Sequence, residues 1–190
     1  MKINYLIRIF DVLISALFLI IVSPIILLIS LLIYLIDGKP IIFKQTRVGL
    51  KGREFQMYKF RTMKNKIYKN ENNRLTRLGK ILRRSSIDEI PQFLNVLKNE
   101  MSIVGPRPLP EIFEKKINNK YRYKRRKFLP GITGLSQINY SGKFRKIEDK
   151  VNLDIKYFEN YTLLNYLNII IKTPFILIIR LIKNKSSIIK

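Results

Sequence analysis

The run from Val12 to Ile36 carries no charged residue and is dense in isoleucine and leucine. As a straight helix it is roughly 37 Å long, enough to cross the ~30 Å hydrocarbon core of a bilayer, so the pattern predicts a membrane helix. The run is too long for a cleavable signal peptide, and no small-x-small cleavage site follows it. Ser23-Pro24 falls at its middle, where proline removes an amide hydrogen bond and the serine hydroxyl can serve the freed carbonyl, so a kink is expected. Lys2 and Arg8 precede the run and Lys39, Lys44 and Arg47 follow it. The positive-inside tendency therefore draws both ends to one side. A kinked helix of this kind can dip in and return or can span, and the residues leave both open.

Beyond it the apolar period changes. Residues 40–45 and 54–63 read as two strands joined by a turn containing Gly49 and Gly52, hence a hairpin. Alternation in the second strand places Phe55, Met57, Lys59, Arg61 and Met63 on one face, so that Lys59 and Arg61 form either a phosphate-facing pair or two solvated cations. Lys64 to Arg74 reads as a mobile polar loop and Leu75 to Leu82 as a short helix. A further helix is expected over about 90–98, with Ile90, Phe93, Leu94 and Leu97 on one face. Leu163 to Ile182 is apolar but interrupted by Lys172, Pro174 and Arg180. It reads as a helix pair lying in the membrane interface, with a second spanning helix as the alternative. The resulting class is α+β, mainly helical, with a membrane part over 1–37 and a surface domain over 38–190.

Composition narrows the chemistry. There is no cysteine and no histidine, which excludes disulfides, thiol nucleophiles, imidazole bases and the usual zinc sites. The net charge of +24, from 37 basic and 13 acidic residues, lies almost wholly after Asp37. Such a surface seeks anionic lipid, phosphorylated substrates or nucleic acid. Among so few acids, the adjacent pair in Arg83-Arg84-Ser85-Ser86-Ile87-Asp88-Glu89 stands out. Ser86 to Glu89 fits a capping box, which would place Asp88 in a first helical turn, although Pro91 argues for a helix start nearer Ile90. Ordinary N-terminal helix charges are the competing reading.

Three other segments carry candidate chemistry. Gly105-Pro106-Arg107-Pro108 holds an arginine between two prolines, suited to clamping an anion or merely marking a rigid bend. Lys120 to Lys127 interleaves Tyr121 and Tyr123 with cations, which suits a lipid surface or, more sharply, base stacking. Pro130 to Gln137 is bracketed by Gly131 and Gly134, whose lack of side chains allows close approach of backbone to a ligand, or simply two turns.

Taken in order, Arg8-Ile9-Phe10-Asp11 with Ser23-Pro24, Lys59 to Met63, Arg83 through Asp88-Glu89, Asn95 to Lys98, Met101 to Pro108 and Pro130 to Gly134 resemble the bacterial sugar transferase family, the small monotopic phosphoglycosyl transferases. The length resembles the minimal catalytic form, without the extra spanning helices of larger relatives. The resemblance implies transfer of a sugar 1-phosphate from a UDP-sugar to polyprenyl phosphate with release of UMP, at the cytoplasmic face of the bacterial inner membrane, on a first helix made re-entrant by Ser23-Pro24. It implies Asp88 as nucleophile and Glu89 as its partner carboxylate, with Mg²⁺ held by the two. It further implies Lys59, Arg61, Arg83, Arg107, Gly131, Thr133 and Gln137 as substrate contacts. Partners would be the two substrates and anionic phospholipid, with no nucleic acid, and a homodimer as an allowed assembly. Leu135 through Lys143 departs from the family's usual run after this glycine, so the sugar's identity does not carry over. A non-enzymatic, membrane-tethered basic module is the rival reading.

Overall fold

A computed structural model describes residues 5–64, 74–139 and 147–186. Lys2, the expected loop apart from its end residues Lys64 and Arg74, and the run from Tyr140 to Lys143 lie outside the described residues. Helix α1 (Tyr5–Asp37) contains Pro24. That proline removes the amide that would bond the Ile20 carbonyl, and the Ser23 hydroxyl donates to the same carbonyl at 2.8 Å. The substitution expected of the Ser-Pro pair is therefore in place.

Both ends of α1 are built into the rest of the chain. Near its start, Arg8 Nη2 donates to the Val96 carbonyl at 2.7 Å. The buried Asp11 accepts from the Ile103 amide at 2.8 Å and the Tyr166 hydroxyl at 2.7 Å. Near its end, Ile29 and Ile33 pack with Phe60 and Leu82. Arg61 donates to the carbonyls of Asp37, Gly38 and Lys39, groups that a helix C-terminus otherwise leaves unsatisfied. Between these latches only 11 % of the most apolar window is buried. A core helix would be mostly covered, so this surface suits lipid.

Strands β1 (Ile42–Val48) and β2 (Glu54–Phe60) form the expected antiparallel hairpin, with Ile42 opposite Phe60 and Val48 opposite Glu54. Then come α2 (Arg77–Ser85), a 3₁₀ turn (Ile87–Glu89), α3 (Gln92–Leu97), β3 (Ser102–Val104), α4 (Glu111–Lys115), α5 (Asn119–Arg125), β4 (Gly131–Thr133), α6 (Leu135–Ile138), α7 (Ile147–Glu159) and α8 (Leu163–Ser186). β3 and β4 pair in parallel; three residues each are too few for a period to register in the sequence. The principal core gathers Ile7, Met57, Val96, Ile103, Tyr157 and Tyr166 from six elements.

Two elements differ from expectation. In α3 the buried residues are Gln92, Asn95 and Val96, while Leu94 and Leu97 are exposed. Asn95 wins the inner face because it serves the outer edge of β2, accepting from the Tyr58 amide at 3.0 Å and donating to the Gln56 carbonyl at 2.7 Å. It thus satisfies backbone groups that a neighbouring strand would otherwise bond. The interface pair expected over 163–182 is one helix with Pro174 inside it.

Candidate active site

The acidic pair sits in the 3₁₀ turn between α2 and α3, not in the first turn of an α-helix. The capping box does not form. Ser86 is left-handed at φ 58° with no side-chain cap, because it terminates α2, its amide donating to the Arg83 carbonyl at 3.2 Å. Glu89, instead of folding back, receives Lys59 Nζ on its Oε1 at 2.5 Å, with Arg107 Nη2 4.0 Å from the same oxygen.

The two carboxyls are driven apart in acidity. Asp88 is buried, and that burial, reinforced by the Glu89 charge and opposed by Lys59 and Arg83, pushes its carboxyl up to about 6. For Glu89 burial also pushes upward, but Lys59, Arg107 and Arg47 outweigh it and hold the group below the usual carboxylate range. Neighbouring acids with separated acidities suit separate roles.

A cavity of about 860 Å³ opens over the pair. Lys59, Arg83, Asp88, Glu89, Arg107, Thr133 and Gln137 all line it, so most of the substrate contacts inferred from the sequence converge. Arg83 is steadied by its Nε donating to Thr62 Oγ1 at 2.8 Å. Arg61 and Gly131 are not among the lining residues. Although Arg61 belongs to the Lys59 face by alternation, β2 ends at Phe60 and the Arg61 guanidinium turns to the carbonyls that close α1. A Cβ on Gly131 would lie 2.0 Å from the Gly105 nitrogen, and one on Gly134 2.2 Å from the Gly105 oxygen. The close approach expected of this glycine loop is therefore to the backbone of the Pro-Arg-Pro segment.

Several residues of the site were not singled out in the sequence. Gln45 and Arg47 of β1 and Thr173 and Arg180 of α8 also line the cavity. Arg125, expected to face lipid with its neighbours in 120–127, is buried. Its Nη1 donates to Glu114 Oε1 at 2.6 Å, its Nη2 to the Arg107 carbonyl at 2.7 Å, and its Nε lies 3.9 Å from Asp154 Oδ2. Burial pushes the Asp154 carboxyl up to about 6 against the pull of Arg125. This ionic knot fixes the backbone that presents Arg107 to Glu89. The scarcity of acids was the available signal: each of the 13 is a candidate partner for an inward-facing cation.

The donor set fits a magnesium ion shared with substrate. Mg²⁺ binds through one or two carboxylates and completes its shell from water and substrate phosphates, and Asp88 and Glu89 both face the cavity. Among the described residues no group of three acidic, histidine or cysteine side chains forms an all-protein cage.

Comparison with known proteins places the chain among relatives. The family model "Bacterial sugar transferase" matches residues 3–180. The chain is 38 % identical, over 88 % of its length and 39 % of the relative's, to a UDP-glucose:undecaprenyl-phosphate glucose-1-phosphate transferase of Klebsiella pneumoniae. It is 40 % identical to EpsL of Bacillus subtilis, described as an uncharacterized sugar transferase, over 82 % of this chain and 78 % of that one. It is 36 % identical to the exopolysaccharide production protein ExoY of Sinorhizobium fredii, over 87 % and 82 % respectively. The chain thus spans about two fifths of the length of the Klebsiella relative and most of the length of the other two. With the family's match running through both latched ends of α1 and through the carboxylate turn, the chain belongs to the bacterial sugar transferase family.

Proposed function

We propose that this protein transfers a sugar 1-phosphate from a UDP-sugar to polyprenyl phosphate through a covalent adduct on Asp88. The observation that carries the reading is a buried carboxylate facing a cavity that is also lined by a second carboxylate and by Lys59, Arg83 and Arg107. In the first step a carboxylate oxygen of Asp88 forms a bond to the sugar-proximal phosphorus, the phosphoanhydride bond breaks, and its electron pair leaves with UMP. In the second step an oxygen of polyprenyl phosphate attacks that phosphorus and Asp88 departs as carboxylate. Lys59, Arg83 and Arg107 orient the diphosphate and offset its charge. Asp88 and Glu89 would hold Mg²⁺, which supplies further charge neutralisation on the phosphates when bound. Relatives name both glucose and N-acetylgalactosamine, so the donor is specified only as a UDP-sugar. Incubating the purified full chain with a panel of UDP-sugars, undecaprenyl phosphate and Mg²⁺ should yield UMP with at least one donor. Absence of UMP across the panel overturns the assignment.

The membrane arrangement we infer is re-entrant, with both ends of α1 at the cytoplasmic face of the cell membrane. Support comes from the latches: Arg8 and Asp11 at one end and Ile33 and Asp37 at the other meet the same domain. The exposed Leu94, Leu97, Ile81 and Ile112 suit an interface that anionic lipid completes. Because the chain has no cysteine, single cysteines at Tyr5 and Lys39 offer a clean test. A membrane-impermeant maleimide should label neither in intact cells and both in inverted vesicles. Labelling of Tyr5→Cys from outside would instead establish a spanning helix.

A further inference from the structure

The cavity that holds Asp88 also has apolar walls. Ile14 and Phe18 of α1, Phe93 of α3 and Ile170, Pro174 and Leu177 of α8 wall it. Phe18 and Phe93 lie against one another there, ring centroids 4.3 Å apart. The spacing of Ile170, Pro174 and Leu177 puts them on one face of α8, whereas Phe175, Ile178 and Ile182 are exposed. The helix is therefore apolar on two sides. Lipid can cover the outer one, but the inner one borders a space of about 860 Å³, within the range of ligand pockets. The wall is held in place at two points: Thr173 Oγ1 is 2.8 Å from Thr133 Oγ1, and Arg180 donates to the Gln137 carbonyl.

We propose that the furrow between α1 and α8 seats the first isoprene units of the acceptor, its phosphate toward Asp88 and its tail leaving past Phe18 and Leu177 into the bilayer. This rests on the reaction proposed above. A single cavity lined both by cations and carboxylates and by hydrocarbon side chains matches a ligand whose charged head and apolar tail are joined. The donor does not suit the wall formed by Ile14, Phe18 and Leu177, since its nucleoside and sugar need hydrogen-bond partners that these side chains do not supply. Neither does a bilayer phospholipid explain why the furrow runs up to the reacting carboxylate.

The two half-reactions separate the possibilities. Leu177→Trp fills the furrow, and Ile178→Trp places the same ring on the exposed face as a control. With donor and Mg²⁺ alone, the single-turnover release of UMP should be within about twofold of wild type in both variants. With undecaprenyl phosphate, KM for the acceptor should rise about tenfold in Leu177→Trp, the scale of an altered apolar pocket, and stay unchanged in Ile178→Trp. A phosphate bearing only a short prenyl chain should lose less. Should Leu177→Trp fail to fold, Leu177→Ala is expected to raise the same KM with a normal UMP burst. The proposal is overturned if acceptor KM is unchanged, if the burst falls in step with turnover, or if the control behaves like the test variant. A wild-type protein giving no burst with any donor refutes the reaction itself, which is a different result.

Discussion

Asp88→Asn should reduce UMP release by on the order of 10⁴-fold or more, the scale seen when an attacking group is removed, while leaving the protein folded and at least as stable. The amide matches the carboxylate in shape but offers no nucleophilic oxygen. The stability half of the expectation follows from burial, which raises the native carboxyl from its ordinary 3.8 to about 6. A group that holds its proton more tightly when folded contributes stability that is present below about 3.8 and is lost as pH rises through about 6. At neutral pH a buried charge therefore opposes folding, and replacing it with a neutral amide relieves that cost. Thermal unfolding near pH 7 and at pH 4 should show Asn gaining at the higher pH only. The same group should govern the wild-type rate profile: if the ionised carboxylate attacks as proposed, single-turnover release should climb with pH over the acid range, with a midpoint that bound Mg²⁺ draws below the metal-free value of about 6. An Asn variant that turns over at the wild-type rate removes Asp88 from the chemistry.

Glu89→Gln should cost about 10³-fold, comparable to removing an electrostatic element from a preorganised site, and should also move the acid limb of the donor half-reaction downward. Two effects act in the same direction. Glu89's charge is one of the influences raising Asp88, so removing it lets Asp88 ionise more easily. Lys59 and Arg107, no longer engaged at 2.5 and 4.0 Å by a charged Glu89, add their fields to the remaining carboxylate. A pH–rate profile of the residual activity, measured from pH 4 to 8, should therefore have its midpoint below that of wild type. A midpoint that stays put would mean the two carboxylates do not interact as their proximity requires.

How much of this could be read from residues alone depended on the kind of signal each left. The long apolar first helix, the hairpin and α2 were legible because a long uncharged run, an alternation and a helical period are local patterns. Ser23 was legible down to the atom, since proline names the carbonyl it orphans. The burial of Asn95 was not, because its partner is the bare edge of a strand 37 residues earlier. Arg61 and Arg125 misled for the same reason: each sits among surface-like neighbours, and only the tertiary fold reveals the carbonyls and carboxylates that draw it inward. Arg107 was recognised through its flanking prolines, whereas the Glu114–Arg125–Asp154 knot that fixes its backbone spans three helices and leaves no short motif. Gly131 had the right cause, absence of a side chain, but the surface approaching it was Gly105.

The hydrogen bond between Asp11 and Tyr166 joins residues 155 positions apart. During synthesis Asp11 can meet the Ile103 amide first, but its second partner is missing until Tyr166 has emerged from the ribosome. The contact that ties α1 to α8, two helices that both wall the cavity, is consequently among the late ones to close.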